Sequence, residues 1–267
     1  MELEAVAKGY LRMDRDGPTA TVTVNRPQAA NAMNSMMWRD MGALVRSLGE
    51  EPGVRVIILR GAGDRAFVAG ADIKEFQEIM TSREGARQYL TWVEGAMSAV
   101  ETVPKPVIAL VHGAAMGGGC ELAVLSDFIV ASETAVFAVP EVTLGIFPGI
   151  GGTQLLPRII GGPLAKEMIF TGRRVPAAEA KAMGLVNHLV PAGQARAKAL
   201  EIAAAIAANG PVAVRQAKKA INWGSETDLE TGMALAIEAY NVTVTTEDRL
   251  EGVRAFNEKR KPNFKGK

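Results

Sequence analysis

Residues 112–121 read HGAAMGGGCE, and they follow an apolar run at 106–111. A short β-branched run, three consecutive glycines and then helix-forming residues predict a strand, a tight turn and the start of a helix. Glycine at Gly117, Gly118 and Gly119 lets another molecule approach the backbone closely. The unpaired N–H groups of a first helical turn favour negative charge, including an oxyanion that forms only in a transition state. This stretch therefore predicts a turn that stabilises an anion.

Two glutamates lie near this turn in the sequence. Glu121 belongs to the first turn of the predicted helix, and Glu141 comes just before a glycine-rich run at 145–152. A glutamate in a first helical turn most often complements the helix dipole at the surface, which is the simpler interpretation of Glu121. Two carboxyl groups in one dry pocket, however, tend to differ in protonation and can carry out acid–base chemistry. The functional hypothesis is a site with oxyanion donors and paired carboxylates.

The periodicity of the chain predicts an α/β fold. Alternating apolar residues predict a strand at 20–24, and a helical period follows at 31–49. A second strand at 54–60, a helix at 83–102 and the strand at 106–111 complete two crossover units. Such units predict a parallel sheet that is covered on both faces. Further elements are predicted as strands at 128–131, 135–139 and 185–190 and as helices at 153–160, 163–170 and 176–183.

A second turn lies between the two crossover units. An apolar strand end breaks at Gly70 before a helix that begins near Asp72. If this turn faces Gly118, the N–H of Ala71 is a second oxyanion donor. After residue 193 the pattern is almost entirely helical, so we expect a core at 1–209 and an appended helical region at 210–267.

Composition excludes several classes of function. The chain has 30 lysines and arginines against 29 aspartates and glutamates, so neither a nucleic acid nor a membrane surface is an expected partner. No apolar run approaches the roughly 18 residues that a membrane span requires. A single cysteine, Cys120, fits a reducing compartment, so we expect a cytoplasmic protein. The isolated His112 and His188 are too few for a metal site, which needs three or four clustered ligands.

Four blocks resemble the crotonase, or enoyl-CoA hydratase, superfamily. They are FVAGADIKE at 67–75, HGAAMGGGCELA at 112–123, PEVTLGIFPGIGGTQLLPRIIG at 140–161 and EGVRAFNEKRKPNF at 251–264. The resemblance extends over essentially the whole chain. It implies a crotonase-like spiral of ββα and βαβ units, followed by C-terminal helices that form a homotrimer or a dimer of trimers. It also implies acyl-CoA thioester substrates and no separate cofactor, because coenzyme A is part of the substrate.

The resemblance also assigns residues by their positions in these blocks. Ala71 and Gly118 match the backbone N–H pair of the oxyanion hole, and Glu121 and Glu141 match the two glutamates around the catalytic water. The resemblance assigns six further residues to substrate binding: Gly149 near the water, Ala29, Ile73 and Lys74 at the coenzyme A site, and Tyr240 and Lys259 at the coenzyme A of a neighbouring subunit. One departure is Gln28, where many relatives carry a lysine that is available to the phosphates of coenzyme A.

The leading functional hypothesis is hydration of the 2,3-double bond of a 2-enoyl-CoA thioester. By analogy with the family, Glu141 supplies the proton to C2, and Glu121 activates or orients the water. The nearest alternative is another crotonase activity, such as double-bond isomerisation, specialised dehydration or thioester hydrolysis. A non-catalytic binding protein with the same fold is a third possibility. The presence of both glutamates favours hydration, since isomerisation can proceed with one.

Overall fold

A computed structural model describes residues 4–267, with side chains described from Lys8 onward. The described residues form eleven strands and twelve α-helices. The strands are β1 (Glu4–Val6), β2 (Leu11–Asp16), β3 (Thr19–Val24), β4 (Val56–Gly61), β5 (Ala66–Val68), β6 (Val107–Val111), β7 (Ala114–Met116), β8 (Phe128–Ser132), β9 (Val136–Ala138), β10 (Val175–Pro176) and β11 (His188–Val190). The helices are α1 (Ser35–Glu50), α2 (Ile73–Ile79), α3 (Arg83–Thr102), α4 (Gly118–Leu125), α5 (Gly151–Gln154), α6 (Leu156–Ile160), α7 (Gly162–Thr171), α8 (Ala177–Ala182), α9 (Ala195–Ala207), α10 (Pro211–Gly224), α11 (Leu229–Val244) and α12 (Glu247–Asn257).

The larger sheet has seven strands in the order β1-β2-β3-β4-β6-β8-β11. Strands β3 to β11 of this sheet are parallel to one another, whereas β1, β2 and β3 pair antiparallel. The predicted parallel crossover units are confirmed, because α1 connects β3 to β4 and α3 leads to β6. The sequence does not predict the β2–β3 hairpin. Leu11 and Met13, both buried, are the two apolar residues of β2, and an alternation of two residues is too short to indicate a strand.

The smaller sheet has the order β10-β9-β7-β5. Its strands β5, β7 and β9 each follow a strand of the larger sheet, β4, β6 and β8 respectively, so the chain winds as a spiral of ββα units. Because β5, β7 and β9 are parallel, their carboxyl ends meet at one edge. Gly113 allows the chain to pass between the sheets, since a Cβ atom there would lie 2.4 Å from the carbonyl oxygen of Arg65.

Both faces of the larger sheet are buried. Ile57 and Leu59 of β4 face the main core, to which α1 contributes Met37, Trp38 and Met41 among others. Val56 and Ile58 face the opposite side, where α9 presents a stripe of alanines at 195, 199, 203 and 207. Small side chains at this four-residue spacing let the helix pack closely on the sheet. This two-sided burial explains why the first four residues of β4 are all apolar.

The helices α10, α11 and α12 lie within the predicted helical region at 210–267. They bury little of their own apolar surface, and several large apolar side chains are exposed: Ile221, Trp223, Leu229, Met233, Ile237, Leu250, Val253 and Phe256. The boundary at 209/210 falls between α9 and α10 and stays a prediction; residues 1–3 of the predicted core lie outside the described residues. In the described chain no single helix is long and apolar enough to cross a membrane. The pair α9 and α10 meets that test only jointly, across a bend of 106°.

Three local predictions need correction. The strand directly before the triple glycine is β7, a three-residue strand of the smaller sheet, and the run at 106–111 forms β6 of the larger sheet instead. The helix predicted at 153–160 is divided into α5 and α6, and it begins earlier, at Gly151. Pro176 lies in β10 and precedes α8, because it pairs with Val136 of β9.

Candidate active site

The candidate site lies at the carboxyl ends of β5, β7 and β9. The turns that follow β5 and β7 are in close contact: a Cβ atom on Gly70 would lie 3.0 Å from the carbonyl oxygen of Met116. A Cβ atom on Gly119 would lie 2.0 Å from the carbonyl oxygen of Val68, so only glycine fits at 119. The turn at Gly70 therefore faces the triple glycine, as the oxyanion hypothesis requires.

The two predicted oxyanion donors are backbone N–H groups in these turns. Gly118 is the first residue of α4, where an N–H group has no acceptor within the helix. Ala71 forms a bridge with Met33, in which the Met33 N–H donates to the Gly70 carbonyl at 2.8 Å and the Asp72 N–H donates to the Met33 carbonyl at 2.9 Å. The Ala71 N–H itself takes no part in this bridge. Both donors are thus available to a ligand oxygen.

Gly117 shapes the turn and makes room for a glutamate. Its φ angle of 53° lies in the left-handed region, and its N–H donates to the Ala138 carbonyl at 2.9 Å. A Cβ atom on Gly117 would lie 3.0 Å from Oε1 of Glu141. The carboxyl group of Glu141 therefore lies against the turn at residues 117–119, which we call the oxyanion turn after its predicted role.

The side chain of Glu121 binds the start of helix α5, a contact that the sequence does not predict. Its side chain is 5% exposed, and its Oε1 atom accepts hydrogen bonds from the backbone N–H groups of Ile150 (3.0 Å), Gly151 (2.9 Å) and Gly152 (2.9 Å). These groups form the start of α5, whose dipole favours a negative charge there. Glu121 thus complements the dipole of α5, and the simpler interpretation of a surface residue on α4 is wrong.

Glu141 has a different environment. Within the described chain its Oε2 atom is buried and has no hydrogen-bond partner. Burial, with a smaller contribution from the negative charge of Glu121, raises the pKa of Glu141 to about 7, against the opposing effect of a hydrogen bond from its own backbone. Two neighbouring carboxyl groups in such different environments can divide the roles of acid and base. The same burial, with both glutamates nearby, raises the pKa of the Cys120 thiol, so this cysteine is unsuited to act as a nucleophile.

The predicted coenzyme A residues lie on two neighbouring segments beside the oxyanion turn. Ala29 ends a short 3₁₀ helix (Pro27–Ala29), while Ile73 and Lys74 begin α2 and are exposed. The two segments are connected by an ion pair between Arg26 and Asp72, with a distance of 2.5 Å between Nη1 and Oδ2. The role of these residues in binding stays a prediction.

The remaining predicted residues are distributed over two regions. Gly149 is exposed and comes directly before the N–H groups that hold Glu121. Tyr240 of α11 is 68% exposed, and Lys259 follows α12 with a φ angle of 54°. Both lie in the helical region, and their contact with a neighbouring subunit stays a prediction.

Two residues that support the site, Asn31 and Trp38, are not predicted from the sequence. Asn31 is fully buried, and its Nδ2 atom donates to the carbonyls of Ala62 (2.9 Å) and Ala66 (2.8 Å), which fixes the loop before α1 to the start of β5. Trp38 of α1 packs against the oxyanion turn, because a Cβ atom on Gly118 would lie 3.2 Å from its ring. In the sequence, the one signal for Asn31 is an asparagine in the short loop before a helix, a residue type whose side chain often binds backbone groups.

Comparison with known proteins agrees with this architecture. A family model described as enoyl-CoA hydratase/isomerase matches residues 15–267. The short-chain-enoyl-CoA hydratase of Clostridium acetobutylicum is 44% identical over 93% of this chain and 95% of its own length. The crotonyl-CoA hydratase of Syntrophomonas wolfei is 40% identical over 94% and 96%. The crystal structure of an enoyl-CoA hydratase from Bacillus anthracis superposes with a TM-score of 0.93 at 44% identity, covering 97% of this chain and 100% of that chain.

The spiral of ββα units defines a crotonase-fold protein, which confirms the resemblance seen in the sequence. Within that superfamily, the chain belongs to the enoyl-CoA hydratase/isomerase family.

Proposed function

We propose that this protein hydrates 2-enoyl-CoA thioesters to 3-hydroxyacyl-CoA. The observation that carries this function is the contrast between the anchored Glu121 and the unpartnered, buried Oε2 of Glu141 beside the oxyanion turn. Hydration needs an oxygen at C3, a proton at C2 and a place for the negative charge that develops on the thioester oxygen. The site offers one group for each need. The name of the Clostridium relative supports a short acyl chain.

The proposed reaction follows from the geometry. Three N–H groups occupy Oε1 of Glu121, so its Oε2 atom accepts a proton from water as the water oxygen bonds to C3. The electron pair of the C2–C3 double bond shifts to form a C1–C2 double bond, and the carbonyl pair moves onto the thioester oxygen, where the N–H groups of Ala71 and Gly118 stabilise the enolate until the carbonyl re-forms and C2 takes a proton. Glu141, whose raised pKa favours the acid form, then gives its proton to C2. Transfer of a proton from Glu121 to Glu141 restores the starting state.

The same proposal includes the binding of coenzyme A and the assembly. Ala29, Ile73 and Lys74 flank the oxyanion turn and would hold the coenzyme A portion, with Gln28 in place of a phosphate-binding lysine. The exposed apolar side chains of α10, α11 and α12 support a homotrimer or a dimer of trimers, because so much apolar surface is rarely left uncovered. A cytoplasmic role in fatty acid β-oxidation, with no cofactor beyond the substrate's own coenzyme A and no metal, completes the proposal.

Steady-state turnover of crotonyl-CoA, measured by loss of the conjugated thioester absorbance, tests this function. Glu121→Gln and Glu141→Gln keep side-chain volume but remove proton transfer, so each should reduce turnover by roughly 100-fold or more while affinity for the CoA ester changes little. The double variant should lose little more than the worse single variant, because one water links the two groups. Glu78→Gln, on the exposed face of α2, is the matched control.

Exchange of the C2 hydrogen with solvent separates the two roles. Glu141→Gln should abolish this exchange, whereas Glu121→Gln should retain part of it. Near-wild-type turnover in both variants, with CoA-ester binding intact, would refute the two-carboxylate mechanism and favour a non-catalytic binding protein.

A further inference from the structure

A cavity of about 190 Å³ lies where β4 and β6 begin, away from the carboxyl-end turns that form the candidate active site. It is bordered by the residues before β4 and β6, the end of α9, the first turns of α10 and the last residues of the chain. Within the described chain its lining includes no Asp or Glu. It includes four cationic residues before the last residue of the chain, and we call it the basic cavity: Arg55, Lys105, Arg215 and Lys265.

Two of these cations are held in place by carbonyl groups. The Arg55 guanidinium donates to the carbonyls of Ala207 (2.7 Å) and Phe264 (2.5 Å). Lys105 is 3% exposed, and its Nζ atom donates to the carbonyls of Leu48 (2.7 Å) and Glu51. Carbonyl oxygens accept hydrogen bonds but bring no net negative charge. The geometry therefore fixes the positions of two cations without neutralising them.

A neighbouring lysine, Lys218, differs from these two cations because a carboxylate neutralises its charge. Lys218 of α10 is similarly buried, and its Nζ atom lies 2.7 Å from Oδ2 of Asp127. In the described chain no carboxylate lies within 4.0 Å of the charged groups of Arg55, Lys105 or Arg215. Burial and the positive charge of Arg215 lower the pKa of Lys105 to about 8, against the opposing effect of the negative charge of Glu51.

The last residues of the chain form one wall of the basic cavity. The N–H groups of Lys265 and Gly266 donate to the carboxylate of Asp248, at 2.6 and 2.8 Å, and the Phe264 carbonyl accepts from Arg55. These contacts hold the tail segment over the core. An anion in the cavity would therefore contact the core, α10 and the tail together.

We propose that the basic cavity binds a phosphate group, either as inorganic phosphate or as the monoester of a small molecule. One guanidinium group can bind two oxygens of the same phosphate. Several cations without a carboxylate partner favour a dianion over a single carboxylate. The cavity volume of about 190 Å³ gives ample room for a phosphate group. The bound anion would fasten the tail to the core and stabilise the fold.

Isothermal titration of the full-length protein with sodium phosphate, at constant ionic strength set by sodium chloride, tests this site. We expect saturable binding, and a rise of a few degrees in the unfolding temperature at saturation. Methyl phosphate is titrated separately: tighter binding of methyl phosphate would identify a monoester as the ligand, and tighter binding of phosphate would identify the inorganic ion.

Two variants locate the binding. Arg215→Gln and Lys265→Gln should each weaken phosphate binding by roughly tenfold, because each removes a charge-assisted contact. Arg196→Gln, which removes an exposed arginine of α9, is the matched control and should bind as the wild type does. Both variants should retain crotonyl-CoA turnover, which shows that they are folded. Absence of saturable binding, or equal binding by wild type and both variants, would overturn the proposal.

Discussion

The anchoring of Glu121 at the start of α5 makes a quantitative prediction. Glu121→Ala removes the acceptor of three backbone N–H groups, of which those of Gly151 and Gly152 are buried. A buried donor without a partner costs about 1–3 kcal/mol, so the two buried groups together should lower the free energy of unfolding by about 2–6 kcal/mol. Glu121→Gln retains an oxygen at the same position, so its loss should be close to 1 kcal/mol.

Urea unfolding followed by tryptophan fluorescence measures this difference. The unfolding midpoints of the two variants should differ clearly at an unchanged m-value, since the surface exposed on unfolding is the same. Turnover of crotonyl-CoA gives the complementary result: both variants should be nearly inactive, although only the Ala variant is strongly destabilised. If Glu121→Ala unfolds within 1 kcal/mol of the wild type, the three N–H groups do not depend on this carboxylate and the anchoring argument is wrong.

Four further predictions follow from the geometry. The hydration rate should fall about tenfold per pH unit above pH 7, because the acid form of Glu141, with its pKa raised to about 7, supplies the C2 proton; a rate that is flat to pH 9 would contradict this. Glu121→Gln should shift any residual profile to lower pH, since its lost charge no longer raises that pKa. Gly119→Ala should prevent folding, because its Cβ atom would lie 2.0 Å from a strand carbonyl, whereas Gly162→Ala in α7 meets open space and should leave the unfolding temperature unchanged or higher. Asp248→Ala should release the tail, which hydrogen exchange at the two tail amides it binds would detect.

The elements that the sequence predicts well are those with long, regular patterns. Helix α3 has the predicted bounds of 83–102, and β6 begins one residue after its predicted start, because periodic burial determines both. The short strand β7 has the sequence AAM, which has no β propensity of its own. It is a strand because β5 and β9 pair with it on both sides, and this pairing depends on contacts far along the chain.

The same distinction applies to the candidate site. The facing turns that contain Gly118 and Ala71 could be predicted, because turn chemistry is local and glycine signals it directly, while their role as donors stays a prediction. The partner of Glu121 could not, since it lies thirty residues further along the chain, in a helix of four residues. The raised pKa of Glu141 also depends on burial produced by the assembled fold.

The start of α5 connects these observations to the proposed chemistry. Glu121 accepts three backbone N–H groups at one oxygen, and its negative charge adds to the burial that raises the pKa of Glu141 to about 7 and favours its acid form. Glycine is required at one position of this helix start: a Cβ atom on Gly152 would lie 2.4 Å from the side chain of Pro148, whereas one on Gly151 would make an ordinary contact with Cβ of Glu121 at 3.4 Å. The start of α5 therefore fixes the position of the Glu121 carboxylate, and the charge of that carboxylate adds to the effect of burial on the pKa of Glu141.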